Sequence, residues 1–249
     1  MSRVGAASVR FGSALAFLLA WQLVAMVAGS RLLPSAAAVL GAIGREAASG
    51  ALPLSLGITL VRVAGAFGLA MLAGVALGLA MGRWRTADLL LDSWVTVLLN
   101  LPALVLIVLI YVWFGLSDAA LVVAVALNKL PSTAVTVREG MRALDRGLLD
   151  MAESFRMPRL RVLRHVVLPQ LAPYLFAAAR TGLALIWKIV LVAELLGRSN
   201  GVGFEIQIAF QLFDVKRILA YTLAFIAVAQ GIEWGVMQPL ERHVLRWRG

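Results

Sequence analysis

The stretch DMAESFRMPRLRVLRHVVLP, residues 150–169, decides how this chain is organised, because it is a strongly basic interruption between two apolar runs. The chain is 61% hydrophobic, yet this stretch alone carries four arginines: Arg156, Arg159, Arg161 and Arg164. An arginine at the centre of a bilayer costs about 3 kcal/mol or more. The chain therefore leaves the membrane here and does something in water.

Composition places the rest of the chain in the membrane. Charged residues make up 14% of the 249 residues and the mean hydropathy is +0.91, whereas an average soluble domain is about 25% charged. This length has room for several spans of about 20 residues with short loops. We therefore expect one polytopic membrane domain over residues 1–249. Since the chain has no cysteine, disulfides and thiolate metal sites are excluded.

Apolar segments long enough to span a bilayer predict six transmembrane helices. They cover residues 11–29, 54–82, 89–113, 119–137, 170–196 and 217–240. Helices are expected throughout, because irregular backbone in lipid leaves N–H and C=O groups unpaired. The first segment is longer than the apolar core of a signal peptide, which favours an uncleaved helix. WFGLSDA, residues 113–119, predicts a tight connection.

Basic residues predict the orientation, because they gather on the cytoplasmic side of membrane proteins. With the N-terminus inside, the inner segments hold Arg3, Arg10, Arg83, Arg85, Arg138, Arg142, Arg146, Arg156, Arg159, Arg161, Arg164, Arg242, Arg246 and Arg248. The outer segments hold only Arg31, Arg45, Arg198, Lys216 and Arg217. Both termini and the loop at 138–169 are therefore expected in the cytoplasm. The same rule explains the net charge of +10, so nucleic-acid binding is not expected.

Two further patterns concern packing. Gly74, Gly78 and Gly82 form a doubled G-x-x-x-G in the second span, which lets two helix backbones approach closely. Packing within the bundle and a dimer interface are both open uses of this face. After the first span, a turn at Pro34 and an N-cap at Ser35 predict a short amphipathic helix on the outer surface.

The basic stretch itself predicts two short helices. Met151 to Phe155 suits a helix with Asp150 near its positive N-terminal end, and Pro158 suits the first turn of a second helix. Leu160, Leu163 and Val167 would share one face of that helix, continued into the fifth span. The result is a rigid, basic elbow suited to passing force from a docked partner. A plain loop that only sets orientation is the competing interpretation.

The sequence resembles the membrane subunits of binding-protein-dependent ATP-binding-cassette (ABC) importers. Their cytoplasmic signature is E-A-A, three residues, G, nine residues, I-x-L-P. Aligned on the closing Leu-Pro, the matching positions are Asp150, Met151, Ala152, Arg156 and Val166. LLPS (32–35), SLGITLVRVAGAFGLAMLAGVALGLAMGR (55–83), NLPALVLIVLIYVWFGLSD (100–118) and LVAELLGRSNGVGFEIQ (191–207) look like the nitrate, sulfonate and taurine group.

The resemblance implies an all-α, six-helix type I ABC importer transmembrane domain with cytoplasmic coupling helices, in a bacterial inner membrane. It implies two copies of a cytoplasmic ATPase, which bind ATP and Mg, a periplasmic or lipid-anchored binding protein, and a second copy of this chain among membrane lipids. The chain itself would bind no cofactor. The residues expected to couple to the ATPase are Asp150, Met151, Ala152, Glu153, Ser154, Phe155, Arg156, Met157, Pro158, Arg159, Arg161 and Arg164.

Arg156 departs from the family pattern, which has glycine at this turn. A non-glycine residue at positive φ costs about 1 to 2 kcal/mol. We therefore predict that Arg156 keeps a negative φ and that Pro158 breaks the helix instead.

Ionisable residues inside spans are costly and are functional candidates by default. In the importer architecture the fourth and fifth spans contribute to the translocation path, so Lys129 and Lys188 are expected to attract an anion there. Glu194, Asn100 and Asn128 complete the candidate path. A structural alternative is that Lys129 neutralises an acidic group and Glu194 holds helix ends together.

No catalytic or metal motif is present. The chain lacks G-x-x-x-x-G-K-[ST], H-E-x-x-H and G-x-S-x-G, so neither ATP hydrolysis nor an intramembrane hydrolase is expected of it. The predicted function is a permease for a small solute, an organic or inorganic anion such as a sulfonate, taurine or nitrate. An ATP-independent secondary transporter or channel and a membrane scaffold remain alternatives.

Overall fold

The computed structural model describes residues 3–30 and 32–244, and every regular element in these residues is helical. Two π-helical segments, Leu163–Val167 and Glu233–Met237, connect consecutive helices without a break. The helices are α1 Arg3–Ala28, α2 Ala36–Ala48, α3 Ala51–Arg83, α4 Arg85–Asn100, α5 Ala103–Phe114, α6 Asp118–Arg142, α7 Arg146–Ser154, α8 Arg159–Val162, α9 Leu168–Gly197, α10 Val202–Gln211, α11 Val215–Ile232 and α12 Gln238–Val244.

The predicted third span differs from the structure, because residues 89–113 do not form one straight helix. α4 and α5 meet at a bend of 100°, at Leu101 and Pro102. Leu101 has an extended backbone with ψ of 122°, as expected before a proline that disfavours helical conformation in its neighbour. By length and composition the pair is either one broken span or a re-entrant loop.

Four other stretches in the described residues are long and apolar enough to span alone: Ala51–Arg83, Asp118–Arg142, Arg159–Gly197 and Val215–Arg242. Together with the broken pair they give up to five crossings. The predicted first span, 11–29, begins among side chains outside the described set. The part of this span whose side chains are described is Leu15–Ala28, which is apolar but too short to count as a full crossing. A sixth crossing therefore stays a prediction.

The core is built around α3, α6 and α9. Glycines let α3 and α6 come together: a Cβ on Gly74 would lie 2.7 Å from Thr133 Cβ, and one on Gly78 would lie 2.5 Å from the Ala134 carbonyl oxygen. Gly82 meets the side chain of Met141 in the same way. The doubled G-x-x-x-G is therefore used for packing inside the chain.

The short helix after the first apolar run and the tight connection are confirmed; the outer location of the helix stays a prediction. Ser35 caps α2 by accepting a hydrogen bond from the Ala38 amide at 3.3 Å. Gly115 at φ 76° turns the chain between α5 and α6, and Ser117 then caps α6. α2 packs against α11, where Tyr221 donates to Glu46 at 3.0 Å.

Candidate functional site

The two ends of the bundle differ in character. At one end lie the last turns of α3 and α6 and the segment 143–167, called the basic hinge below. At the other end the chain passes from α9 to α10 through a glycine-rich loop, residues 198–201.

The first helix of the basic hinge starts earlier than predicted. α7 begins at Arg146, and Asp145 is its N-cap, accepting hydrogen bonds from the amides of Gly147 at 2.7 Å and Leu148 at 3.4 Å. Asp150 therefore lies in the middle of α7, and its expected place at the positive end of the helix was wrong. Asp145 takes that role because a short side chain can reach the free amides of the first turn.

Arg156 has φ of 50°, in the left-handed region. The expectation of a negative φ at this residue was wrong. The Met157 amide donates to the Ala152 carbonyl at 2.9 Å, and the Arg156 amide donates to the Glu153 carbonyl at 2.8 Å. These two bonds form a Schellman motif, which satisfies the last carbonyls of α7 and requires a left-handed residue at this position. The bonds stabilise the turn that the family pattern builds with glycine.

The second half of the basic hinge continues directly into α9. α8 begins after Pro158, and the π-helical segment Leu163–Val167 passes into α9. Arg159–Gly197 therefore forms one helical stretch, as the elbow prediction requires. Of the three residues predicted to share an apolar face, Leu160 and Leu163 are exposed and only Val167 is half-buried. Val166 is instead the buried residue of this segment.

The basic hinge presents an open surface. Of the twelve residues expected to contact an ATPase, Ala152 is buried and Met157 is half-buried, while the others are exposed. Phe155 is 77% exposed, although a phenylalanine in water gains by being covered. The segment is therefore available for a partner at its tip and fixed to the bundle behind it.

A charge network at the hinge end connects α4 to α6. Arg138 lies 3.2 Å from Asp88 and 2.5 Å from Asp92, and Arg142 lies 2.5 Å from Asp88. The paired residues are about 50 positions apart in the sequence. The network therefore holds α4 against α6, the helix that leads into the basic hinge.

The opposite end holds a buried ionic cluster centred on Arg62 and Glu194, which are 3% and 0% exposed. Arg62 Nη1 lies 2.7 Å from Glu194 Oε1. Thr59 Oγ1 donates to the carboxylate at 2.9 Å, and the Gly203 amide donates to Oε2 at 2.9 Å. Arg62 Nε also donates to Asp118 at 2.8 Å. Every charge in the pair is thus compensated, which a buried ion pair requires.

The cluster anchors the glycine-rich loop. Arg62 donates to the Asn200 carbonyl at 2.9 Å, and the Val202 amide donates to Thr59 Oγ1 at 2.9 Å. Gly201 has φ of 100°, and a Cβ there would lie 2.5 Å from Glu194 Oε1. These contacts match the structural alternative for Glu194, which holds helix ends together; its part in a path is not tested.

Lys129 is buried between α6 and α9. It is 4% exposed, and its ammonium donates to Ser132 Oγ at 2.7 Å. Its Cε would lie 2.8 Å from a Cβ placed on Gly182 of α9. Within residues 3–30 and 32–244, no described carboxylate comes within 4.0 Å of its ammonium, so it does not neutralise an acid there.

Lys188 lies on the exposed face of α9. It lines a cavity of about 370 Å³ between α9 and α11, together with Trp187, Gln230 and Glu233. The two lysines therefore have different surroundings, one inside the bundle and one on its surface. Of the other candidates, Asn100 is exposed and donates to the Thr96 carbonyl at 2.8 Å.

The family model for the inner membrane component of binding-protein-dependent transport systems matches residues 70–230. This chain belongs to that family. The permease is also 31% identical over 229 residues to a protein named as an aliphatic sulfonates transport permease of Escherichia coli, covering 91% of this chain and 87% of that one. It is 27% identical to the taurine transport system permease of the same species, covering 78% and 70%. It is a membrane subunit of an ABC importer.

The fold of the permease matches that of a solved ABC transporter. A crystal structure of an amino acid ABC transporter with histidines superimposes with a TM-score of 0.65 at 20% identity, covering 80% of the permease and 97% of that chain. At this identity the likeness concerns the fold. The architecture is that of a type I importer transmembrane domain, as the sequence predicted.

Sequence reasoning missed most of the ionic cluster. Glu194 was noted because it is charged within a span, but its partner Thr59, and Asn200, which accepts from Arg62, carry no sequence signal. Arg62 offered one, since an arginine and a glutamate near the same end of two apolar spans predict a pair.

Proposed function

We propose that this permease forms the path for a small oxyanion of the sulfonate class, in an assembly with a second copy of itself, two cytoplasmic ATPases and an outer binding protein. Both termini and the basic hinge face the cytoplasm of a bacterial inner membrane. ATP binding brings the two hinges together and opens the path outward. ATP and Mg belong to the ATPase.

The position of Lys188 is the observation that supports an anionic substrate. It lies nine residues before the end of α9 at Gly197, which is about 14 Å along a helix and close to the middle of a core about 30 Å thick. A lysine facing hydrocarbon at this depth costs about 3 kcal/mol. Its exposed face must therefore meet water or another chain, and a path between two copies supplies both.

The neighbouring charges support this assignment. Arg180 on α9 forms salt bridges with Glu233 at 2.8 Å and with Glu241 at 2.7 Å. Both carboxylates therefore share the single positive charge of Arg180, and no described carboxylate lies within 4.0 Å of the Lys188 ammonium. Lys188 itself thus has no direct ion-pair partner among the described side chains and can contact a passing anion. The sulfonate and taurine permeases named above support the choice of anion.

The structure of the basic hinge favours a contact between its tip and the ATPase. Its exposed tip, including Phe155, is held by the Schellman turn and continues as one helix into α9. Movement of the tip is therefore transmitted along the helix that carries Lys188. A loop that only set orientation would need none of these contacts.

The test is transport by the reconstituted complex of permease, ATPase and binding protein. Taurine and a short alkanesulfonate should be taken up with ATP hydrolysis, whereas Lys188→Gln should lower uptake about ten-fold or more while the assembly persists. Lys188→Arg keeps the charge and should keep most of the uptake. Lys216→Gln, an exposed lysine at the start of α11, is the matched control. Equal uptake by Lys188→Gln and wild type would contradict the role of Lys188, and uptake of nitrate alone would correct the substrate.

A further inference from the structure

A cleft of about 850 Å³ lies behind the basic hinge. One wall is formed by the last turns of α3 and α6, including Arg83 and Arg142. The other wall is formed by α7 and α8, including Arg146 and Arg159. The proposed function uses Arg159 at the contact with the ATPase but assigns no ligand to this cleft.

The charge of the cleft is of one sign. All four of its charged lining residues are arginines, and the described chain contributes no aspartate or glutamate to its walls. Arg142 is paired with Asp88 and Glu139. The other three have no carboxylate within 4.0 Å among the described side chains. Three uncompensated guanidinium groups around one space favour an anion, and their planar donors suit a phosphate.

The depth of the cleft indicates where the phosphate comes from. Gly82 and Met141 are in contact at the ends of two spanning helices, so this wall lies at the boundary between hydrocarbon and water. The lining also includes Leu149 and Leu163. A free phosphate leaves such apolar surface uncovered, whereas a phospholipid covers it with its glycerol and acyl part. Basic pockets beside the cytoplasmic ends of membrane helices suit anionic lipid headgroups.

We infer that this cleft binds the phosphate headgroup of an anionic phospholipid, which bridges the ends of α3 and α6 to the basic hinge. The guanidinium groups of Arg83, Arg146 and Arg159 hold the phosphate. Since Arg146 and Arg159 lie on the two helices of the hinge, the bound lipid fixes both to the bundle. Transmission of force through the hinge then depends on anionic lipid.

The test measures bound lipid. The permease, without its ATPase, is placed in nanodiscs of phosphatidylcholine with or without phosphatidylglycerol, then extracted, and lipids retained per chain are determined by native mass spectrometry. Phosphatidylglycerol should be retained in preference to phosphatidylcholine. Arg159→Gln and Arg146→Gln should each lower its affinity about five-fold, the loss typical of one basic side chain at an anionic surface.

Matched controls lie beside the cleft. Arg161 and Arg85 are exposed arginines that do not line it, so Arg161→Gln and Arg85→Gln should retain the lipid fully. Arg159→Lys should restore most of the binding, which separates loss of charge from misfolding. Equal loss in the controls would overturn the inference, because the whole surface would then attract lipid.

Two competition experiments distinguish a phospholipid from the other possible occupants of the cleft. Release of phosphatidylglycerol by inorganic phosphate would assign the cleft to a free anion. Release on adding the ATPase would assign it to an acidic protein surface. Either result overturns a lipid site, and retention in both arms supports it. The measurement needs no transported solute, so its failure leaves the proposed function standing.

Discussion

Gly78→Ala tests the packing that positions both the ionic cluster and the basic hinge. The new Cβ would lie 2.5 Å from the Ala134 carbonyl oxygen and 2.7 Å from Val137 Cβ. Carbon atoms in contact lie about 3.5 Å apart, so α3 and α6 must separate by about 0.8 Å. Neither neighbour is the end of a flexible side chain. Such overpacking costs about 1 to 3 kcal/mol.

Gly68→Ala is the matched control on the same helix, because a Cβ there would meet nothing within 4 Å. Alanine is favoured over glycine in a helix by about 1 kcal/mol, and this gain is common to both variants. The free energy of unfolding, measured by SDS titration in mixed micelles, should therefore be lower for Gly78→Ala than for Gly68→Ala by about 1 to 3 kcal/mol.

Equal stability of the two variants would refute the close approach of α3 and α6. A Gly78→Ala protein that unfolds like Gly68→Ala but no longer self-associates would move this face to a dimer interface instead.

Three further changes test separate contacts. Arg156→Gly should raise the free energy of unfolding by about 1 kcal/mol, since glycine adopts the left-handed turn without strain; an unchanged value in SDS titration would argue against the Schellman turn. Glu194→Gln leaves Arg62 buried with less compensation and should cost about 3 kcal/mol, seen as a lower melting temperature in detergent; unaltered melting would contradict the cluster. Asp145→Ala removes the α7 cap and should cost about 1 kcal/mol, with faster hydrogen exchange at the Gly147 and Leu148 amides; unaffected exchange would exclude the cap.

Those features of the fold that depend on neighbouring residues in the sequence could be predicted from local sequence patterns. Apolar length predicts spanning helices, and Ser35 marks the start of α2. The bend at Pro102 and the cap at Ser117 were not predicted and come from the structure. The glycine spacing indicated a close approach but left its partner open, because the partner residue Ala134 is 56 positions away from Gly78. Only the structure shows that this partner lies in the same chain.

The candidate site was harder to predict, because its properties depend on tertiary contacts. Arg156 was expected at negative φ on the strength of an average strain energy, yet two backbone hydrogen bonds compensate for that strain. Lys129 and Lys188 look alike in sequence, since both are single lysines in apolar runs. The structure buries one against Gly182 and exposes the other, and this difference is the ground on which we propose Lys188 for the path.

The central claim is that the basic hinge is the surface that an ATPase grips in the cytoplasm, and labelling of single cysteines tests it most directly. The chain has no cysteine, so Ser154→Cys on the hinge and Ser199→Cys in the opposite loop each give one exposed thiol. With a membrane-impermeant maleimide, the account predicts that Ser154→Cys reacts only in inside-out vesicles and is protected by bound ATPase, while Ser199→Cys reacts only in right-side-out vesicles. Labelling of Ser154→Cys from the outside, or equal labelling with and without the ATPase, would contradict it.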